Sequence, residues 1–109
     1  MRISHTNHSG ADILTVSGRV DAERAPELEE AGRRILVKDY LKLIVDLSAV
    51  EYLSSGGLCS LLNLVKLAKT RHCRMILCGP NPAVHQVLKL SGFDKLFPIM
   101  GELSEALVA

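Results

Sequence analysis

The pattern of apolar and polar positions predicts a β-hairpin at the start of the chain. In MRISHTNHSGADILTVSG, Ile3 is followed by polar alternation, the pair Ser9-Gly10 has turn-forming chemistry, and residues 13–16 have the composition of a second strand. Two runs joined by a glycine-containing turn are typical of paired strands. We therefore predict that the chain opens with two strands whose outer edge is polar.

An amphipathic helix is predicted after the hairpin, over residues 21–38. Glutamates and arginines occupy one side of this segment, and the other side is apolar, formed by Leu28, Ala31, Ile35 and Leu36. This spacing is that of a helix with one buried face. We expect Asp21 or a neighbour to cap the helix, with Pro26 in its first turn or two.

A strand covered on both faces is predicted next. The stretch KLIVDLSAV, residues 42–50, contains β-branched and leucine residues without alternation, as in a central parallel strand. Helical spacing returns immediately afterwards, at Leu58, Leu61, Leu62 and Val65. This second periodic segment predicts a helix from about residue 56 to residue 70.

The last third of the chain predicts a strand, a helix, a short strand and a final helix. CRMILCG is the strand, and NPAVHQVLKLSG combines helix-starting Asn and Pro with a terminal Gly. LFPIM and GELSEALVA complete the order β-β-α-β-α-β-α-β-α, with Phe93 and Phe97 expected to anchor the third helix to the sheet. We therefore predict an α/β fold in one domain spanning residues 1–109, with a mixed, mostly parallel sheet of about five strands, about four helices and right-handed crossovers.

Composition narrows the classes of function. The chain has 109 residues, of which 48% are hydrophobic, as expected for one compact domain. A net charge of +1 and the absence of tryptophan argue against nucleic acid as a partner. The N-terminus lacks the apolar core of a secretory signal, and no run approaches the ~20 apolar residues of a spanning helix. We therefore expect a cytoplasmic protein without direct membrane insertion.

The cysteines and histidines do not form a metal-binding motif. Cys59, Cys73 and Cys78 are odd in number and lack C-x-x-C spacing, so we expect them to be reduced and mostly buried. His5 and His8 are expected on a solvated hairpin tip rather than in a metal pair. The sequence therefore predicts neither a metal nor a cofactor.

The stretch YLSSGGLCSLLNLVKL places two serines and two glycines between a buried strand and a buried helix. The simplest interpretation is that Ser55 or Ser54 is an N-cap, with the glycines easing the turn. A nucleophile elbow would need glycine two residues before Ser55, where Leu53 stands, and no nucleotide-binding glycine loop occurs. Phosphorylation of an exposed hydroxyl at the helix start stays open beside capping alone.

The same region carries a family resemblance. VDLSAVEYLSSGGLCSLL resembles the signature of anti-sigma-factor antagonists, which are members of the STAS domain family. SGRVDAERAPELEEA and NPAVHQVLKLSGFDKLFPI are similar to further stretches of that family, so the resemblance covers nearly the whole chain. It implies a STAS-like fold with the phosphoacceptor at Ser55. Ser54 then stands where the family often has Asp, and Gly56 where it often has Ser or Ala.

The resemblance also implies partner switching. In this family the unmodified domain binds an anti-sigma factor that is also a serine-protein kinase, and so frees a sigma factor. Phosphorylation by that kinase ends binding, and a serine phosphatase acting on the phosphorylated form restores it. The chain would be a binder and a substrate, not an enzyme. The implied partner surface comprises Ser54, Ser55, Gly56, Arg19 and Asp21.

Two alternatives stay open at the level of sequence. The chain can be a STAS interaction subunit of a transporter or signalling complex that works without phosphorylation. It can also be a nucleotide-binding or hydrolytic enzyme, which is disfavoured because the loops expected for that chemistry are absent.

Overall fold

The secondary-structure elements follow the predicted order. A computed structural model describes residues 1–38 and 42–109. Its strands are β1 (Arg2–His8), β2 (Ala11–Val20), β3 (Lys42–Leu53), β4 (Arg74–Cys78) and β5 (Ile99–Met100). Its helices are α1 (Ala25–Leu36), α2 (Ser55–Thr70), α3 (Pro82–Leu90) and α4 (Leu103–Val108), with a 3₁₀ turn at Phe93–Lys95. The predicted α/β fold is therefore confirmed.

The strands form one mixed sheet in the order β1-β2-β3-β4-β5. β1 is antiparallel to β2, and every later pair of neighbours is parallel. The turn between β1 and β2 contains Ser9 and Gly10, with φ angles of 52° and 84°. Two left-handed residues match the twist of a tight hairpin. The hairpin predicted from the sequence is confirmed.

The helices cover the two faces of the sheet unequally. α1, α2 and α3 pack on one face, where the main core joins them to the sheet through Leu14, Leu28, Leu43, Leu61 and Leu88. α4 packs on the other face, over a smaller core formed by Ala11, Ile13, Ile44, Ile76, Cys78 and Ala106. Because consecutive side chains of a strand point to opposite faces, β3 contributes to both cores. It is the strand covered on both faces that the sequence predicted.

The first helix begins later than its sequence pattern suggested. α1 starts at Ala25, while Asp21 lies in the preceding turn and its Oδ1 accepts a hydrogen bond from the backbone N–H of Arg24 at 2.8 Å. Short acidic side chains stabilise such turns in competition with helix, which explains the shift. The predicted apolar side is correct, because Leu28, Ile35 and Leu36 are buried.

Helices α1 and α2 are held together by small residues and polar contacts. A Cβ at Gly32 would lie 2.6 Å from the methyl carbons of Leu64, so any larger residue there would require the Leu64 side chain to shift. Ser60 Oγ donates to the backbone oxygen of Ala25 at 2.9 Å. The Ser60 contact holds the first half of α2 against the start of α1, and the Gly32 contact brings the middle of the two helices together.

Two further expectations concern buried residues. Phe93 and Phe97 are buried in the main core with their rings edge to face and their centroids 5.7 Å apart, in agreement with the predicted anchoring role. Cys73 and Cys78 are buried, whereas Cys59 is exposed on α2. Within residues 1–38 and 42–109, no helix has the length and apolarity needed to cross a membrane.

The position of His5 differs from the expectation. His5 lies within β1 opposite Leu14, not at the hairpin tip, and its Nε2 is 2.6 Å from Oδ1 of the buried Asp12. A buried carboxylate requires a polar partner, and the neighbouring strand supplies one. His8 ends β1 beside the turn and is exposed. In the described part of the chain, no cluster of three or more His, Cys, Asp or Glu residues can hold a metal ion.

Candidate functional site

The N-cap of α2 is Ser54. Its backbone N–H donates to the backbone oxygen of Val20 at 2.9 Å, which continues the contact between β2 and β3. Its Oγ accepts a hydrogen bond from the backbone N–H of Gly57 at 3.1 Å, and the residue is only 8% exposed. This bond satisfies one of the backbone donors that a helix start leaves without an intrahelical acceptor. The sequence left the cap open between two serines, and the geometry assigns it to Ser54.

Ser55 is the first residue of α2 and is exposed. Its hydroxyl makes no hydrogen bond to any residue within 1–38 and 42–109. A helix start carries partial positive charge and unpaired N–H groups, which favour an anionic group at this position. The two adjacent serines therefore differ: one is a structural cap and the other presents a hydroxyl to solvent.

The glycines after Ser55 bring the α2 start into close contact with its surroundings. A Cβ on Gly57 would lie 2.6 Å from Leu53 Cδ1 and 3.0 Å from Val20 Cγ1. A Cβ on Gly56 would lie 3.1 Å from Ala22 Cα, in the loop that follows β2. The α2 start and this loop therefore form one continuous surface around Ser55.

Arg19 and Asp21 lie on the β2 side of this surface. Arg19 is the register partner of Tyr52, and its guanidinium carbon is 4.5 Å from the centre of the Tyr52 ring. Asp21 is half-buried and engaged with the Arg24 backbone. Ser54 is part of the same region but is too buried to offer a large contact area.

The sequence-predicted partner surface did not include two exposed residues of this region, Tyr52 and Cys59, and Cys59 was instead grouped with the thiols expected to be mostly buried. Tyr52 is 42% exposed at the end of β3, and Cys59 lies one helical turn after Ser55. An aromatic residue two positions before the serine pair was the available signal for Tyr52. Residues four apart on a helix lie on one face, which was the available signal for Cys59.

A groove of about 410 Å³ between α1 and α2 adjoins the α2 start. Its walls include Ala22, Pro26, Glu29, Gly56 and Cys59. The groove is bounded by both the loop after β2 and the first turns of α2. It extends the accessible surface from Ser55 towards α1.

The two buried thiols, Cys73 and Cys78, both have a raised pKa. Burial raises the pKa of Cys78 to about 12, with the nearby carboxylate of Asp46 contributing in the same direction. Burial also raises the pKa of Cys73, with a smaller contribution from Asp12. Both thiols are therefore protonated near neutral pH, and reactivity requires the thiolate.

The Ser55 hydroxyl has no activating base beside it among the described residues. A nucleophilic serine is activated by a base within hydrogen-bonding distance, and no such contact to Ser55 is formed in the described ranges. An exposed hydroxyl at a helix start can instead receive a phosphoryl group from an external kinase.

Comparison with known proteins identifies the family. A model of the STAS domain matches residues 2–106. The anti-sigma-F factor antagonist RsfB of Mycobacterium tuberculosis is 29% identical over 105 residues, covering 96% of this chain and 85% of RsfB. The anti-sigma F factor antagonist of Paenibacillus polymyxa is 28% identical over 103 residues, covering 91% of this chain and 86% of that protein.

A solved structure agrees in both fold and sequence. The crystal structure of an anti-sigma factor antagonist from Mycobacterium paratuberculosis matches with a TM-score of 0.91 at 32% sequence identity, covering 98% of this chain and 91% of that one. The mixed five-stranded sheet with its helices is thus the architecture of a STAS domain. The chain belongs to the anti-sigma-factor antagonist family of STAS domains.

Proposed function

We propose that this chain controls a sigma factor by partner switching through phosphorylation of Ser55. The unmodified domain binds an anti-sigma factor that is also a serine kinase, and so releases the sigma factor. The kinase transfers the γ-phosphoryl group of ATP to Ser55 Oγ, which loses its proton, and ADP leaves. A serine phosphatase then hydrolyses the phosphoserine to serine and inorganic phosphate.

The observation that supports this proposal is that Ser54 caps α2 while the adjacent Ser55 is exposed. Because the Ser54 hydroxyl already accepts from Gly57, the helix start does not need a second hydroxyl. The Ser55 hydroxyl is exposed and lies on the surface shared by the α2 start and the loop after β2. On this proposal the chain is a binder and substrate rather than an enzyme, since the kinase and phosphatase supply the catalytic groups.

The energy of the switch must come from the interface. Changing a partner from nearly all bound to nearly all free requires about 5.5 kcal/mol of differential affinity. A charge at an exposed helix start gains only about 0.3 to 1 kcal/mol, so stabilisation of the phosphorylated turn is insufficient. A group of about −1.5 to −2 charge inside a contact surface adds desolvation and repulsion of several kcal/mol. Phosphorylation therefore blocks docking directly, with little refolding of the domain.

We also propose where the chain acts and with which partners. Residues 1–109 act as one STAS domain, and because sigma factors direct transcription, the domain acts in the cytoplasm. Its partners are the anti-sigma factor kinase and the phosphatase, with no role for nucleic acid or membrane insertion.

The first experiment is phosphosite mapping. The pure chain is mixed with each candidate anti-sigma factor kinase and Mg-ATP, and the modified residue is located by mass spectrometry. We expect a single phosphate on Ser55 and none on Ser54, whose hydroxyl is buried in the cap. Phosphate elsewhere with Ser55 unmodified would refute the assignment.

The second experiment measures binding of the anti-sigma factor to wild type, Ser55→Ala and Ser55→Asp. Ser55→Ala should bind like wild type and resist the kinase, whereas Ser55→Asp should bind at least about 100-fold more weakly, equivalent to ~2.7 kcal/mol. Ser104→Asp is the matched control, because Ser104 is also exposed in the first turn of a helix, on the opposite face of the sheet. Equal binding by all variants, with Ser55 unmodified, would instead favour a STAS interaction subunit without phosphorylation.

A further inference from the structure

Arg19 and Tyr52 form an exposed stack beside the α2 start. They are register partners on β2 and β3, and the Arg19 guanidinium carbon lies 4.5 Å from the centre of the Tyr52 ring. Arg19 is exposed and Tyr52 is 42% exposed. A cation over an aromatic face is attracted by the ring and is held in a defined position.

The backbone of β2 is irregular directly before Arg19. The register between β2 and β3 shifts between Gly18 and Arg19, and Gly18 has a φ of 87°, which side-chain-bearing residues rarely adopt. Such irregularities in a strand change the direction in which the next side chain leaves it. The Gly18 irregularity therefore helps to set the position of Arg19 over Tyr52.

The Arg19 guanidinium has no ion-pair partner among the described residues. Arg24, Arg33 and Arg34 each form a salt bridge with a glutamate, whereas Arg19 has none with the residues in 1–38 and 42–109. Its guanidinium also donates no hydrogen bond to those residues. Contact with an aromatic ring leaves N–H donors available, and the planar guanidinium matches a carboxylate in two-pronged geometry.

We propose that Arg19, held on Tyr52, is a specificity-determining residue that receives a carboxylate of the anti-sigma factor. The inference rests on the proposed function, because it assigns a chemical preference to the same docking surface. The next register pair is Val20 with Leu53, and Ser54 follows directly, so the stack borders the surface around Ser55. Opposite charge at this border selects partners with an acidic side chain there and disfavours partners with a basic one.

The test measures binding of Arg19 and Tyr52 variants to the anti-sigma factor kinase that phosphorylates Ser55. Arg19→Glu should weaken binding at least about tenfold, equivalent to ~1.4 kcal/mol, and Arg19→Gln should weaken it less. Tyr52→Leu should also weaken binding, whereas Tyr52→Phe should retain it because the ring is kept. Binding of Arg19→Gln should depend less steeply on salt than binding of wild type, since one charge pair is removed.

Arg74→Glu is the matched control, since Arg74 is an exposed arginine at the start of β4, near the opposite end of β3 from Ser55. It should bind like wild type. Binding of Arg19→Glu and Arg19→Gln within twofold of wild type, or an equal loss for Arg74→Glu, would overturn this inference while leaving the Ser55 switch intact. If Ser55→Asp binds like wild type, the proposed function fails instead, whatever Arg19 does. Thermal unfolding of each variant separates loss of contact from loss of fold.

Discussion

The starts of α2 and α3 have the same capping geometry, and they differ in the residue that follows the cap. Ser54 caps α2 by accepting from Gly57 at 3.1 Å, and Asn81 caps α3 by accepting from Val84 at 2.8 Å. Both cap residues have extended backbones, with φ and ψ of −79° and 171° for Ser54 and −66° and 167° for Asn81. The next residue is Ser55 in α2 and Pro82 in α3.

The difference shows what a helix start in this fold requires. Proline offers neither a hydroxyl nor a backbone N–H, yet α3 begins at Pro82, as proline is well suited to the first helical position. The cap alone is therefore sufficient, and a hydroxyl in the following position is not a structural requirement. In α2 that position carries a serine, and its hydroxyl is available for recognition and modification.

The largest effect on stability is expected at the position where the two helix starts differ in packing. The third helical position is Gly57 in α2 and Val84 in α3. Gly57→Val should lower the free energy of unfolding by about 3 kcal/mol, because the new side chain overlaps Leu53 and the fully buried Val20. Denaturant unfolding measures the change.

Ala83→Val is the control for this substitution. Ala83 lies in the first turn of α3 and is exposed, so a valine there should change stability by about 0.5 kcal/mol or less. Equal destabilisation by both variants would mean that valine is unfavourable in any first turn and that the packing of Gly57 is irrelevant.

A second prediction uses the exposed thiol of α2 to test whether its first turns are a docking surface. A bulky maleimide should react selectively with Cys59, because Cys73 and Cys78 are buried and their pKa values are raised. The labelled chain should bind the anti-sigma factor about 30-fold more weakly, equivalent to ~2 kcal/mol, with unchanged thermal unfolding.

The control label belongs on the same face of α2 but far from Ser55. Thr70 is exposed and eleven residues after Cys59, about three helical turns along α2. A Thr70→Cys, Cys59→Ser variant with the same label should bind like wild type. Full binding by the chain labelled at Cys59 would contradict a footprint that includes the first turns of α2.

The two helix starts also show how far the sequence could predict the site. Asn81-Pro82 is an unambiguous start, and α3 begins there as expected. In α2 two adjacent serines have nearly equal capping tendency, so their roles depend on the backbone angles that β3 gives Ser54. The order of elements followed from periodicity, because burial of one face imposes it.

Contacts between residues of different strands could not be predicted from periodicity, because they depend on how the strands pair. The contact between Arg19 and Tyr52 requires the pairing of β2 with β3 and the irregularity after Gly18. The partnership of His5 with buried Asp12 likewise depends on the β1 and β2 register. The apolar periodicity predicts a start for α1 that is too early, because Asp21 stabilises a turn as readily as it caps a helix.

A third prediction compares the two caps directly. Ser54→Ala should lower the free energy of unfolding by about 1 kcal/mol, because the Gly57 N–H loses its acceptor. Asn81→Ala should lower it by about 1.5 kcal/mol, since Asn81 Nδ2 also donates to the Val50 backbone oxygen at 3.0 Å. Ser55→Ala should stay within about 0.5 kcal/mol of wild type. A greater loss for Ser55→Ala than for Ser54→Ala in denaturant unfolding would reverse the assignment of the cap.

The smallest effect on stability is expected when α2 is given the first residue of α3. Ser55→Pro should be tolerated within about 0.5 kcal/mol, because proline is favoured at the first helical position. The extended backbone of Ser54 is also the conformation that a residue before proline prefers. The variant should unfold like wild type and accept no phosphate from the kinase, which separates the two roles at this junction. A loss of more than about 1 kcal/mol would show that Ser55 contributes to the helix start itself, and the contrast between α2 and α3 would then be structural rather than functional.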